Sequence, residues 1–252
     1  KRTTSRNVLK TVQEQTRVLT LKVISRLLDY PSQTLFAHAD ELIGAIRADG
    51  QLSVDSKNQL AGFVGELTGN ELYDAQEKYD LLFDRGRSLS LLLFEHVHGE
   101  SKDRGQAMVD LMKEYTDHGF EISSKQLPDY IPLYLEFLSE QDQAYAREWL
   151  SDISHILTLL SERLLERECS YRVLFEALIA LSGATVEREE IAQAVQKENP
   201  DDTMEALDKA WEDREIRFDD PLESGCDSSC GYTSATRDVP VTWREASDIS
   251  AA

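Results

Sequence analysis

The stretch that decides the fold is Leu82–Met112, LFDRGRSLSLLLFEHVHGESKDRGQAMVDLM. Two Asp-Arg-Gly units, Asp84–Gly86 and Asp103–Gly105, flank a run that is apolar on almost every side from Leu89 to Val97. Such a run predicts a buried central helix, ended by Gly99. Ion pairs within the chain would explain the charged residues of both units, because they would stabilise the turns there. The alternative is that the Arg residues bind a phosphate or a carboxylate.

Helical spacing of apolar residues continues on both sides of this stretch. Ser101 is placed to cap a helix that ends before Gly119, and Asn70 is placed to cap one that reaches Phe83. The residues between 119 and 128 have the composition of a loop. Further helices are predicted over residues 21–28, 35–46, 60–67, 129–138, 149–165, 171–181, 186–198 and 203–217.

These patterns predict an all-α fold, because strand alternation and βαβ spacing do not occur. We expect a single globular, bundle-like domain of about ten helices over residues 19–218. Residues 1–18 lack a convincing apolar stripe and are predicted to be a basic, flexible extension. Residues 219–252 are polar and rich in turn formers, and are predicted to be a disordered tail.

Charge restricts the classes of partner. The chain has 252 residues and a net charge of −20, although its first 26 residues carry seven Lys or Arg and one acid, Glu14. An acidic body repels nucleic acid and anionic membranes and attracts basic peptides. Acidity that only maintains solubility is the alternative interpretation. No run approaches the ~20 apolar residues of a membrane span, which indicates a soluble, cytoplasmic protein.

Metal chemistry and catalysis have little support in the sequence. Three cysteines make no disulfide framework, and Cys226 and Cys230 alone cannot complete a zinc site. His96 and His98 would point about 200° apart on a helix, which favours one buried and one exposed histidine over a shared metal. Because nucleophile, zinc-protease and phosphate-loop motifs do not occur, the sequence predicts a protein that is not an enzyme.

Four blocks of the chain, in order, resemble the NarJ family of nitrate reductase chaperones, within the wider NarJ/TorD/DmsD group. They are SRLLDYP (Ser25–Pro31), YDLLFDRGRSLSLLLFEHVHGESKDRGQAMVDL (Tyr79–Leu111), LPDYIPLYLEFL (Leu127–Leu138) and DDTMEALDKAWEDREIRF (Asp201–Phe218). The wider group has an acidic residue and His where this chain has Asp129-Tyr130. Any role that needs imidazole there is therefore not expected here.

The resemblance implies a chaperone that binds the apo catalytic (alpha) subunit of respiratory nitrate reductase through its N-terminal peptide. It would keep this client competent for insertion of the molybdenum–bis(guanine dinucleotide) cofactor, and bind no cofactor stably itself. The alpha–beta complex and proteins of cofactor synthesis are secondary expected partners. Two alternatives remain open, namely a stable adaptor subunit and, less favoured, a metal-dependent hydrolase using His96, His98 and nearby acids.

Motif position and chemistry suggest which residues would line the peptide groove. The segment Leu127–Phe137 combines aromatic, apolar and acidic side chains, which suit a peptide of basic and apolar residues. Reversing the charge of Asp129 or Glu136 is expected to weaken peptide binding without unfolding the domain. The predicted groove residues are Tyr79, Phe83, Arg87, Glu95, His96, Asp129, Tyr130, Tyr134 and Glu136.

Overall fold

The predicted helical stripes form helices in the computed structural model, which describes residues 19–97, 102–123 and 126–211. The first helix, α1, covers residues 19–28. The others are α2 (Gln33–Ala37), α3 (Ala39–Ala48), α4 (Val54–Thr68), α5 (Leu72–Tyr79), α6 (Leu93–Val97), α7 (Lys102–Asp117), α8 (Ile131–Ser139), α9 (Gln143–Asp152), α10 (Ser154–Glu166), α11 (Arg172–Ser182), α12 (Arg188–Val195) and α13 (Met204–Trp211).

The all-α prediction is confirmed. Within the described ranges the only extended pairing is an isolated antiparallel bridge between Leu92 and Tyr130. Helix α10 packs against α9, α11 and α12, and α11 also packs against α4. Predictions for residues 1–18, Gly99, Ser101, the tail after Asp219 and its two cysteines lie outside the described residues.

Helix α8 is buried on nearly every side and lies in the core. Ile131, Leu135, Phe137 and Leu138 are fully inaccessible to solvent. Pro132 lies in the first turn, where its missing N–H removes no intrahelical hydrogen bond. The apolar segment that was expected to border a groove is therefore largely a core helix.

The predicted central helix over Leu89–Val97 is wrong for its first half. Only Leu93–Val97 is helical, although Leu89 and Leu91 are buried as expected. The Leu93 amide donates to the Asp129 carbonyl oxygen at 2.9 Å, and the Ile131 amide donates to the Leu91 carbonyl oxygen at 2.8 Å. Residues 88 and 89 form a turn in which the Ser90 amide donates to the Arg87 carbonyl oxygen at 3.1 Å, and the two long-range hydrogen bonds then hold Leu91 and Leu92 as a short extended segment.

Two predicted helices are each divided. The helix predicted over 35–46 breaks at His38 into α2 and α3, and the one over 149–165 breaks at Ile153 into α9 and α10. At the second break the Ile153 carbonyl oxygen accepts from the Ile156 and Leu157 amides, so the next helix begins there. Apolar periodicity persists across each break and does not reveal it.

Unlike these breaks, most helix ends are determined by residues close to them in sequence. Gly69 ends α4, and Gly183 ends α11 with φ of 63°, a left-handed conformation that glycine adopts without strain. Asn70 does not cap α5, because its side chain donates to the Glu66 carbonyl oxygen at 2.7 Å and so closes α4. Helix α5 continues into a π-helical turn, Asp80–Asp84, a form often found at functional sites.

Candidate functional site

Three blocks of the sequence meet around the start of α8. The bridge between Leu92 and Tyr130 joins the central block to the LPDY segment. Ser25, on α1, donates its hydroxyl to the Pro132 carbonyl oxygen at 2.6 Å. These contacts hold the SRLLDYP helix, the extended segment and α8 together, which fixes the position of the side chains between them.

Asp129 is fully buried at this junction. Its Oδ2 accepts from the Phe94 amide at 3.2 Å in the first turn of α6 and lies 3.9 Å from Arg104 Nη2. Its Oδ1 has no hydrogen-bond partner among the described residues. Burial raises the pKa of the Asp129 carboxyl, while the Phe94 amide and Arg104 act in the opposite direction. Arg104 also lies 3.5 Å from Glu95 Oε1, so Asp129 and Glu95 share one cation.

Two tyrosines from the predicted set are hydrogen-bonded to each other. The Tyr79 hydroxyl donates to the Leu28 carbonyl oxygen at 2.9 Å and lies 3.1 Å from the Tyr130 hydroxyl oxygen. Tyr130 in turn lies 3.2 Å from Asp29 Oδ1. Burial, followed by the neighbouring phenol, raises the pKa of Tyr79, and burial also raises that of Tyr130. Both phenols therefore remain neutral and can act as hydrogen-bond donors at physiological pH.

An acidic and aromatic surface adjoins these tyrosines. Tyr30 is 45% exposed and places its ring edge-on to Tyr79, with centroids 5.5 Å apart. Burial and then Asp80 raise the pKa of the Asp84 carboxyl, and Asp84 also raises the pKa of both Tyr30 and Tyr130. We call this surface the Tyr30 patch; it comprises Asp29, Tyr30, Asp80, Asp84 and Tyr130.

The other predicted groove residues are more dispersed. Phe83 and Tyr134 are buried, and Tyr134 donates to the Trp149 carbonyl oxygen at 2.9 Å. Glu136 forms a 2.7 Å ion pair with Arg26 and lies 3.9 Å from Lys22, whereas Arg87 is exposed. The structure thus joins Tyr79, Phe83 and Tyr130 in one cluster and pairs Asp129 with Glu95, but leaves four predicted residues with separate surroundings: Arg87, His96, Tyr134 and Glu136.

His96 is an internal hydrogen-bond donor in this structure. Its Nε2 lies 2.8 Å from the Ser90 carbonyl oxygen, which can only accept, so Nε2 carries the proton. Burial lowers the pKa of the ring against the opposing effect of that hydrogen bond; Arg163 also lowers it, while Glu95 and Glu198 raise it. The neutral imidazole is therefore favoured.

This lowered pKa predicts a loss of stability on acidification. The imidazole of the unfolded chain binds the proton more tightly than that of the folded chain. The contribution of neutral His96 to the free energy of unfolding is therefore complete above the ordinary histidine pKa of about 6.5, and it declines as the pH falls towards the lower pKa of the folded state. His96→Gln should make the difference in urea midpoint between pH 7.5 and pH 5.5 smaller. NMR titration of the imidazole checks the assignment, and a pKa above that of an unfolded peptide would contradict it.

The loop after the first Asp-Arg-Gly unit, Asp84–Gly86, is clamped by a segment that was not among the predicted site residues. Asp201 accepts from the Ser88 amide and hydroxyl at 2.7 and 2.6 Å, and Arg163 donates to the Ser88 carbonyl oxygen at 2.6 Å. Arg167 lies 3.3 Å from Asp201. A Cβ at Gly86 would collide with the Asp201 carboxylate, so glycine permits this approach. The fourth block of the family resemblance begins at Asp201, and this was the sequence signal that could have identified Asp201 as a site residue.

An open apolar cavity of about 770 Å³ was also missed. It lies between α4, α5 with its π-helical turn, and the turn between α10 and α11, and we call it the α4–α11 cavity. None of the nine predicted groove residues lines it, although Tyr79 and Phe83 contact the lining residue Tyr171. Its apolar walls include Phe63, Leu67, Leu81, Leu82, Leu165 and Val173.

Among the described residues, no three His, Cys, Asp or Glu side chains are grouped as metal ligands would be. His98 lies outside these residues. No helix of the described part of the chain has the length and apolar character needed to cross a bilayer.

Sequence comparisons match this chain to proteins of nitrate reductase assembly. The family model for the nitrate reductase delta subunit matches residues 49–177. The nitrate reductase molybdenum cofactor assembly chaperone NarJ of Escherichia coli K12 is 45% identical over 219 residues, covering 87% of this chain and 90% of the relative. The probable chaperone of the same type NarW, from that strain, is 42% identical over 209 residues, covering 83% and 87%. The probable NarJ of Bacillus subtilis 168 is 28% identical over 180 residues, covering 71% and 97%.

Proposed function

Because this chain belongs to the nitrate reductase delta subunit family, we propose that it is a molybdenum cofactor assembly chaperone for respiratory nitrate reductase. The observation that carries this proposal is the 45% identity to a chaperone of that name over 87% of the chain. The region matched by the family model, residues 49–177, includes every predicted groove residue. The protein acts on its client by binding, and is not itself an enzyme.

The proposed client is the apo catalytic (alpha) subunit, bound in the cytoplasm through its N-terminal peptide. The chaperone holds the subunit while the molybdenum–bis(guanine dinucleotide) cofactor enters it. The cofactor is cargo for the client and is not retained by the chaperone. Binding also delays docking to the membrane partner, and the chaperone then leaves. The alpha–beta complex and cofactor-synthesis proteins are further proposed partners.

The Tyr30 patch supports the recognition of a basic and apolar peptide. It combines an exposed aromatic ring with three carboxylates, and burial followed by repulsion from Asp80 raises the pKa of Asp84. A peptide cation would relieve that repulsion, and a peptide side chain could pack on Tyr30. Phe83 is buried and packs against Tyr79, whose ring contacts Tyr30, so Phe83 supports this surface from beneath.

The electrostatic contribution to peptide binding is tested by charge reversal at Asp84, because Asp129 is buried. Asp84→Lys should weaken binding of a synthetic client N-terminal peptide about tenfold and reduce the salt dependence of binding, because it removes an attractive charge. Calorimetry measures both effects. Glu121→Lys is the matched control, since it makes the same charge change at an exposed loop position. Equal losses for both variants would indicate attraction by net charge alone and would remove the Tyr30 patch from the site.

The chaperone role itself is tested in cells that cannot make the molybdenum cofactor. Apo alpha subunit should accumulate on the tagged full-length chain there, and mature nitrate reductase purified from normal cells should lack the chain. Persistence in the mature complex would identify a stable adaptor instead. Failure to capture the apo subunit would contradict the proposed function.

A further inference from the structure

Residues 84–88 connect the Tyr30 patch to the core and lie between two buried anchors. Phe83, before the segment, and Leu89, after it, are both buried. Asp84 is exposed and belongs to the Tyr30 patch, the proposed peptide-binding surface. From Arg85 to Ser88 the backbone forms no regular helix or strand, so its conformation depends on contacts with other parts of the chain.

Those contacts come mainly from Asp201, in the connection between α12 and α13. Its Oδ2 accepts from the Ser88 amide at 2.7 Å, and its Oδ1 accepts from the Ser88 hydroxyl at 2.6 Å. Burial alone would raise the pKa of the Asp201 carboxyl, but hydrogen bonds from the Ser88 hydroxyl and from the amides of Ser88 and Arg87 lower it below its ordinary value. The carboxylate therefore stays charged near neutral pH and binds two successive amides of the loop.

Gly86 allows the carboxylate to come this close. A Cβ at Gly86 would lie 2.8 Å from Asp201 Oδ2, which is closer than non-bonded atoms approach one another. Because glycine has no Cβ, the carboxylate can reach the amides of the next two residues.

Two arginines bind the same contact from a third side. Arg167 lies 3.3 Å from Asp201 Oδ1 and donates to the Ser88 hydroxyl oxygen at 3.0 Å. Arg163 donates to the Ser88 carbonyl oxygen at 2.6 Å and is paired with Glu198. The amide, hydroxyl and carbonyl groups of Ser88 are thus all bound by residues at least 75 positions away in sequence. Such contacts order the loop through the tertiary structure.

We propose that Asp201 is a positioning residue for client recognition, which holds residues 84–88 so that Asp84 faces the client peptide. Asp201 does not touch the peptide and acts through Asp84. A loop that is already ordered loses little conformational freedom on binding, so its preorganisation strengthens the complex. This inference rests on the proposed function and extends it to the α12–α13 connection, beyond residue 177, where the match to the family model ends.

Removal of the Asp201 carboxylate tests this role on the full-length chain. Asp201→Ala should weaken binding of the synthetic client N-terminal peptide about fivefold by calorimetry, because the loop must then be ordered on binding. Asp201→Asn should stay within about twofold of the wild type, since its side-chain oxygen can still accept from the Ser88 amide.

Asp202→Ala is the matched control. It removes the neighbouring carboxylate, which lies 3.5 Å from Arg167 Nε, and leaves both hydrogen bonds between Asp201 and Ser88 in place. It should change peptide affinity by less than about twofold. A loss equal to that of Asp201→Ala would show that only the charge of this segment matters and would overturn the positioning role.

A double-mutant cycle tests whether Asp201 acts through Asp84. In an Asp84→Asn background, Asp201→Ala should change peptide affinity by less than about twofold, because the carboxylate that it positions is already gone. Full additivity of the two losses would mean that Asp201 acts independently of Asp84, and the inference would then be wrong.

A second variant disturbs the same contact from the loop side. Gly86→Ala places a Cβ against the Asp201 carboxylate and should weaken the peptide about as much as Asp201→Ala does. In the peptide-free chain both variants should lower the pKa of Asp84 towards the ordinary carboxyl value, because burial and the nearby Asp80 raise it in the ordered loop. NMR titration of the side-chain carboxyl measures this shift. An unchanged pKa of Asp84 in both variants would contradict the inference.

Failure of this inference can be distinguished from failure of the proposed function. A wild-type chain that does not bind the client peptide would overturn the proposed recognition, and this inference with it. A wild-type chain that binds the peptide no better than Asp201→Ala and Gly86→Ala would overturn this inference alone.

Discussion

Alanine at Phe137 is expected to lower the free energy of unfolding by about 3–5 kcal/mol, a large share of the about 5–15 kcal/mol typical of a domain. Phe137 is fully buried on α8. Its ring centroid lies 4.6 Å from that of Tyr115, 5.6 Å from Phe120 and 6.1 Å from Trp149. Removal of the ring leaves a cavity among aromatic side chains from three segments, which cannot all move to fill it.

Urea unfolding followed by circular dichroism measures this loss. Tyr73→Ala is the control, because Tyr73 is 82% exposed and its removal should change stability by less than about 0.5 kcal/mol. Phe137→Leu should give an intermediate value. A loss below about 1 kcal/mol for Phe137→Ala would mean that α8 is not the core helix described above.

Lysine at Asp129 is expected to destabilise the domain by about 3–5 kcal/mol or to prevent folding, because it buries an unpaired cation. Asp129 is fully buried, accepts from the Phe94 amide and lies beside Arg104. A lysine there would lose that hydrogen bond and repel the guanidinium group. The burial of Asp129 contradicts the surface position assumed in the sequence-based expectation that charge reversal there would leave the domain folded.

Asp129→Asn is the control for this prediction. Its amide oxygen can still accept from Phe94, so we expect its stability at pH 7 to stay within about 1 kcal/mol of the wild type. Thermal unfolding of both variants provides the measurement. A folded Asp129→Lys protein with wild-type stability would show that the carboxylate reaches solvent.

The pH dependence of stability gives an independent check of the same carboxyl. Its pKa is raised, so the folded protein holds the proton more tightly than the unfolded chain. The resulting stabilisation is complete below the ordinary carboxyl pKa of about 3.9 and is lost as pH rises through the raised value. Asp129→Asn should remove this part of the pH dependence. An unchanged stability profile between pH 3 and pH 7 would contradict a raised pKa.

Much of the fold could be predicted because helix formation depends on nearby residues. Leu21, Ile24 and Leu28 form one apolar stripe, and Gly69 and Gly183 end helices through their own backbone preferences. The family was also recognisable from the order of four sequence blocks, and the comparisons confirm it. The net negative charge of the chain followed from the number of charged residues alone.

What the tertiary structure decided was the course of residues 89–92, the environment of Asp129, the Ser88–Asp201 clamp and the α4–α11 cavity. Each depends on residues far apart in sequence, such as Leu93 with Asp129 or Ser88 with Asp201. An apolar run is equally suited to a buried helix and to a buried extended segment. The sequence does not distinguish a buried aspartate from an exposed one. Local periodicity carries no information about these contacts, because hydrogen bonding and burial between distant segments are settled only when the segments pack.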